Sequence, residues 1–164
     1  MNDILVLGAG AWGTSIANLL ADNCNKKVFL WAFEKKVSNS INKNQINTQF
    51  LPKIKLNKNV VAVSNFRGIS PTYIFIVVPS QFVYSITKNY ADSISKKNKE
   101  KISIVICSKG FDLKRRLLLS DVLRPIFSLK KIAVLSGPSF ANLVAKRKPT
   151  AVTLASKNSN LSKK

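Results

Sequence analysis

The sequence contains no histidine, so a proton relay built on imidazole is excluded for these residues. It has two cysteines, Cys24 and Cys107, without the spacing of a metal site. Each reads as a small apolar filler or a bystander thiol rather than half of a disulfide, and no metal is expected. No apolar run approaches the roughly 20 residues of a membrane-spanning helix. The longest, Ile74 to Pro79, has the length of a strand. The first residues lack the basic segment and extended apolar stretch of a signal peptide, so a cytoplasmic location is expected. Acidic residues are scarce: seven Asp and Glu stand against 27 Lys and Arg, a net charge of +20. Such an excess invites a nucleic-acid reading. The lysines, however, are spread along the chain, as in Lys26-Lys27, Lys35-Lys36, Lys53 and Lys55, Lys96-Lys97, Lys130-Lys131 and Lys163-Lys164. No DNA- or RNA-binding motif lies among them, and Lys-plus-Asn richness is what a genomic base-composition bias produces. The expectation is a solvated basic surface that steers anionic ligands, with no nucleic-acid partner.

What is present is ordinary in bulk and specific in detail. The length of 164 residues, with 46% hydrophobic and 21% charged residues, suits one domain with one sizeable core. The run Ile4-Leu5-Val6-Leu7 passes directly into Gly8-Ala9-Gly10-Ala11-Trp12-Gly13, followed by a helical pattern with Ile16, Leu19 and Leu20 on one face. Strand, Gly-x-Gly-x-x-Gly turn and helix is the order a dinucleotide site requires. Gly8 permits the tight turn, Gly10 lets a pyrophosphate approach the backbone, and Gly13 lets helix and strand pack closely. The N–H groups and positive dipole end of the helix then face the phosphates. The alternative is a plain strand-to-helix turn that binds nothing.

Along the chain, strands are expected at 2–7, 28–31, 60–63, 73–78, 102–107, 131–135 and 150–155. Helices are expected at 12–22, 37–46, 81–95 (Phe82, Val83 and Ile86 inward), 113–127 (with Leu117, Leu118, Val122 and Leu123) and 140–146. Phe50-Leu51-Pro52 marks a break. There are no internal repeats. The alternation predicts an α/β fold of Rossmann type, a doubly wound, mostly parallel sheet with helices on both faces, over residues 1–156. A loose polar tail is expected over 157–164.

Polar groups gather at strand ends. In Trp31-Ala32-Phe33-Glu34, Glu34 is either a carboxylate for an adenosine ribose or a solvated helix start. Phe33 either stacks on adenine or covers the sheet edge. Lys109, in Ser108-Lys109-Gly110, is placed to bind a phosphate or polarise a carbonyl oxygen, or is one more surface lysine. Ser136-Gly137-Pro138-Ser139 offers N–H groups and hydroxyls to an anion, and Ser139 also suits an N-cap.

Taken together, Gly8-Ala9-Gly10-Ala11-Trp12-Gly13-Thr14, Leu30-Trp31, Phe50-Leu51-Pro52, Val78-Pro79-Ser80-Gln81, Ser108-Lys109-Gly110 and Val134-Leu135-Ser136-Gly137-Pro138-Ser139-Phe140-Ala141 resemble the NAD(P)-dependent glycerol-3-phosphate dehydrogenases. The resemblance covers nearly the whole chain. It implies hydride transfer between a nicotinamide and the pair dihydroxyacetone phosphate and sn-glycerol 3-phosphate, a small phosphorylated substrate whose product feeds phospholipid synthesis. It implies cofactor contacts at Gly8, Ala9, Gly10, Ala11, Trp12, Gly13, Phe33, Glu34, Phe82, Lys109 and Ala141. It also implies substrate contacts at Lys109, Gly137 and Ser139, with Lys109 touching both ligands. Phe33-Glu34 stands where many members have a basic or His-Arg pair, which favours NAD with NADP possible. The family's second, helical domain carries a further catalytic lysine and the groups that grip the substrate phosphate. That domain is expected to lie outside this chain, leaving cofactor binding with little or no turnover alone; the expected partners are a C-terminal-domain chain or a second copy in a homodimer. The alternative is a non-catalytic nucleotide-binding module or a degenerate remnant.

Overall fold

A computed structural model describes residues 3–24 and 26–162. Asn2 of the first expected strand, Asn25 of the turn after the first helix, and Lys163-Lys164 lie outside the described residues. The elements follow in order as β1 (Ile4–Leu7), α1 (Ala11–Cys24), β2 (Val28–Trp31), α2 (Lys35–Asn44), β3 (Val60–Val63) and β4 (Tyr73–Ile76). A 3-10 turn (Ser80–Phe82) leads into α3 (Val83–Asp92), then α4 (Lys96–Lys99), β5 (Ser103–Ile106), β6 (Phe111–Asp112), β7 (Leu117–Leu118), α5 (Leu119–Leu123) and a second 3-10 turn (Leu129–Lys131). The chain continues through β8 (Ile132–Ser136), α6 (Ala141–Ala145), β9 (Thr153–Ser156) and α7 (Ser159–Ser162).

Seven strands form one sheet in the order β3-β2-β1-β4-β5-β8-β9. All neighbours are parallel except β8 and β9, which run antiparallel with Leu135 opposite Leu154. The run Ile4-Leu5-Val6-Leu7 is buried throughout, as a central parallel strand covered on both faces must be. Its side chains divide by the two-residue period of a strand. Ile4 and Val6 pack with Ile16, Ala17 and Ala21 of α1 and Val37 and Ile41 of α2. Leu5 and Leu7 pack with Val83, Tyr90 and Ala91 of α3 and with Leu119 and Leu123 of α5. The two apolar clusters are the two faces of the sheet, each roofed by helices. Truncating a fully buried leucine such as Leu5 to alanine costs about 2–5 kcal/mol in sites of this kind.

Four expectations are corrected. The helix expected over 113–127 is instead the β6–β7 hairpin followed by the short α5. The Asp112 carboxylate accepts the Arg115 backbone N–H at 2.8 Å and the Arg115 guanidinium at 2.8 Å, which closes the turn. Arg116 at φ 55° is left-handed, so a right-handed helix cannot run through it. Leu117 and Leu118 are consequently exposed, while Val122 and Leu123 are buried as expected. Phe82 is not inward: it ends the 3-10 turn before α3 and is 49% exposed, whereas Val83 is buried and Ile86 packs partly against the core. Ser139 does not cap α6, because the N-cap position belongs to Phe140 and carries no side-chain cap bond. Finally, the residues after Ser156 are not loose as far as Ser162. Ser159–Ser162 form α7, whose Leu161 is buried.

Candidate nucleotide site

The parallel register brings the carboxyl ends of β1, β2, β4, β5 and β8 to one edge. From β1 the chain winds outward through β2 and β3, then returns to β4 on the other side of β1. The connections therefore leave β1 and β4 in opposite directions, and a crevice opens above that point, where open α/β sheets bind ligands.

Gly8 to Gly13 sit in this crevice, and each glycine has a separate physical reason. Gly8 has φ +118°, and a Cβ there would lie 3.1 Å from both the Val77 carbonyl carbon and Val78 Cγ1. The β1 turn is thus pressed against the end of β4, while the Gly8 N–H donates to the Trp31 carbonyl at 3.1 Å. A Cβ on Gly13 would collide with the Gly8 carbonyl oxygen, so the first turn of α1 lies directly on the strand end. Gly10 differs: it is exposed, and a Cβ there would meet nothing within 4 Å. Packing does not demand glycine at that position. The open volume in front of it is what an approaching phosphate group needs. Ala11 and Trp12, half-buried, begin α1, a 14-residue helix whose N-terminus faces that volume.

The remaining predicted residues are ranged around the same edge. Phe33 follows β2, is 82% exposed and meets Trp31 edge-on at 6.4 Å between ring centroids. Glu34 occupies the N-cap position of α2 with extended backbone and makes no side-chain bond to that helix, so its carboxylate is not spent on capping. Phe82 follows β4. Lys109 is exposed at the end of β5. The strand ends that carry them are tied together, since the Ser108 hydroxyl donates to the Val78 carbonyl at 2.5 Å and reaches the Ile76 carbonyl at 3.2 Å. Gly110 has φ +89° and turns the chain away immediately after Lys109.

The Ser136–Ser139 segment is engaged more internally than its sequence suggested. Gly137 has φ +149°, and a Cβ there would lie 2.7 Å from the Ala151 carbonyl oxygen, so packing alone requires glycine. Ser139 is 7% exposed and its hydroxyl donates to the Gly137 carbonyl at 3.3 Å. Ala141 is half-buried beside α1.

Sequence reasoning missed Asn47. It is fully buried, and its side-chain amide donates at 2.8 Å to the Ala9 carbonyl and at 2.8 Å to Thr14 Oγ1. Its side-chain oxygen accepts the Phe50 N–H at 3.1 Å. The available signal was an asparagine three residues before the Phe50-Leu51-Pro52 break, within reach of that turn's backbone N–H groups. Among the described residues no group of three or more His, Cys, Asp or Glu could hold a metal ion. No helix there is long and apolar enough to cross a membrane.

Comparison with known proteins agrees with this geometry. Residues 3–162 match the family model described as NAD-dependent glycerol-3-phosphate dehydrogenase N-terminus. A glycerol-3-phosphate dehydrogenase (NAD(P)+) of Neorickettsia sennetsu is 40% identical over 95% of this chain and 46% of that protein. One from Erythrobacter litoralis is 37% identical over 93% of this chain and 44% of that protein. The crystal structure of glycerol-3-phosphate dehydrogenase from Coxiella burnetii superposes with TM-score 0.86 at 34% identity, covering 99% of this chain and 49% of that one. The chain thus spans a little under half the length of the curated relatives it matches. With the family model matching nearly every described residue, the chain belongs to the NAD-dependent glycerol-3-phosphate dehydrogenase N-terminus family.

Proposed function

We propose that the chain is the dinucleotide-binding half of a glycerol-3-phosphate dehydrogenase, and that it takes NAD in preference to NADP. The observation that carries this reading is the contrast between Gly13 and Gly10. One is demanded by packing, and the other faces open space at the N-terminus of a long helix. Such a turn fits the diphosphate of a nicotinamide dinucleotide. When bound, that group supplies the hydride acceptor or donor for interconversion of dihydroxyacetone phosphate and sn-glycerol 3-phosphate.

The chain's own residues have separable tasks. Gly8, Ala9, Gly10, Ala11, Trp12 and Gly13 hold the pyrophosphate through backbone N–H groups and the helix dipole. Phe33 and Phe82, exposed at the ends of β2 and β4, stand on either side of the β1 turn in strand order and offer ring faces to the cofactor. Glu34, with its carboxylate unspent on capping, accepts the ribose hydroxyls and repels a 2′-phosphate, hence the preference for NAD. Lys109 holds the substrate phosphate or carbonyl oxygen by its ammonium charge. Gly137 and Ser139 line the substrate side, and Ala141 lies beside the cofactor.

Completion by a second apolar surface is supported by the exposure of Phe111, Leu113, Leu117, Leu118, Phe140, Leu143 and Val152, all in the segments that follow β5 and β8. We assign that surface to a helical substrate domain or to another subunit, in a cytoplasmic enzyme. Positioning the substrate against the nicotinamide accounts for orders of magnitude in rate, so turnover by these residues alone is expected to be negligible. The test is titration of the chain with NADH and NADPH, following nicotinamide fluorescence. Saturable NADH binding that is abolished by Gly10→Gln, with NADPH weaker, supports the reading. Binding of neither cofactor refutes it.

A further inference from the structure

The glycine turn is held partly from outside itself. The Ala9 carbonyl points into the protein, where it accepts the Asn47 amide at 2.8 Å and the Thr14 hydroxyl at 3.3 Å. In a trans peptide the carbonyl and the N–H on the two sides of one bond point in opposite directions, and no described peptide bond is cis. Holding the Ala9 oxygen inward therefore turns the Gly10 N–H outward, into the open volume in front of Gly10. Glycine itself resists no rotation of this peptide, so the orientation must come from the acceptor side.

Asn47 is built for that work. Both of its amide hydrogens are used, on Ala9 and Thr14, and its oxygen closes the turn to Phe50. The same turn is locked by the Leu51 N–H donating to the Asn47 carbonyl at 2.8 Å, with Leu51 itself in the core. A hydrogen-bonded loop between α2 and β3 thereby grips the glycine turn between β1 and α1. We propose that Asn47 is the positioning residue that presents the Gly10 N–H to the cofactor pyrophosphate. This rests on the dinucleotide-binding reading above.

The test compares the wild-type chain with Asn47→Ala, using NADH and ADP-ribose as ligands and the Gly10 amide resonance of labelled protein as reporter. Asn47→Ser is the milder variant, because a serine can still close the turn to Phe50 but cannot span both Ala9 and Thr14. Asn42→Ala is the control for general loosening. Asn42 also makes paired side-chain bonds to backbone, at Ala62, but touches no part of the glycine turn. Loss of an oriented N–H to a diphosphate is expected to weaken NADH and ADP-ribose about tenfold or more in both Asn47 variants. The ligand-induced shift of the Gly10 amide should shrink in parallel, while Asn42→Ala binds as wild type does. Wild-type binding with either folded Asn47 variant within about twofold of it overturns this inference alone, as does an equal loss in Asn42→Ala. Failure of the wild-type chain to bind either ligand overturns the dinucleotide reading and this inference together.

Discussion

The Ser15 hydroxyl lies 2.9 Å from the Ala141 carbonyl oxygen, joining the second turn of α1 to the first turn of α6 across 126 residues of sequence. It also reaches the Ala11 carbonyl at 2.8 Å, so one side chain links the helix after the glycine turn to the helix after the Ser-Gly-Pro-Ser segment. Ser15→Ala is expected to cost about 1 kcal/mol, the net worth of a typical buried hydrogen bond. Urea denaturation would read that loss, and hydrogen exchange would place its largest effect in α6. Unchanged exchange in α6 would show that the link is dispensable.

Gly10 and Gly13 should separate binding from folding. Gly13→Ala forces a methyl group against the Gly8 carbonyl oxygen and is expected to cost about 1–3 kcal/mol or more by overpacking. Gly10→Ala meets no atom and should leave stability within about 0.5 kcal/mol of wild type. It should nevertheless weaken NADH, because its methyl enters the volume assigned to the pyrophosphate. Equal loss of stability in both variants, measured by thermal melting, would refute the distinction.

Phe33 and Phe82 are exposed and outside the core, so their removal should be silent in stability and audible in binding. Alanine at either position is expected to weaken NADH by roughly 0.5–1.5 kcal/mol, the scale of an aromatic contact. Calorimetry of the single and double variants would check this. Wild-type affinity in the double variant would remove both residues from the site.

The two thiols should behave oppositely. Cys107 is buried at the end of β5 and burial pushes its thiol up to about 12, so the reactive thiolate is scarce at neutral pH. Cys24 is exposed. Alkylation of the native chain at pH 8 should modify Cys24 alone, with Cys107 reacting only after unfolding. Mass spectrometry of the digested protein distinguishes the two.

Asp112 gives the hairpin an acid sensitivity. The backbone N–H of Arg115, aided by the guanidinium, holds its carboxyl below the usual range. A depressed folded value means the stabilisation is present above the unfolded carboxylate value near 4 and is lost as pH falls through the folded one. The β6–β7 hairpin should therefore loosen at acidic pH below about 4, read by the pH dependence of stability. Asp112→Asn should flatten that dependence. A wild-type slope retained in the variant would refute the assignment.

Much of this protein was decided by its sequence alone, because the deciding interactions are local. The apolar runs of β1 to β5 and β8, the glycine spacing of Gly8 to Gly13, and the strand-helix alternation specify a doubly wound sheet without knowledge of distant contacts. The rim positions of Phe33, Glu34 and Lys109 follow from that topology. Side-chain geometry that no hydrophobic period records decided the rest, some of it local and some of it long-range. Adjacent leucines at 117 and 118 read equally well as helix or strand, and the ion pair and turn around Asp112 chose the hairpin. Gly137 reads from the sequence as a backbone donor at a strand end, and only the structure adds that the return of Ala151 and Val152 beside it excludes a side chain there. β9 runs antiparallel beside β8, a direction the strand-helix alternation does not record. Asn47 had no helical or strand period to betray it. Its importance exists only once α2 and the following loop bring its amide against Ala9, since a hydrogen bond is directional and its partner lies 38 residues away.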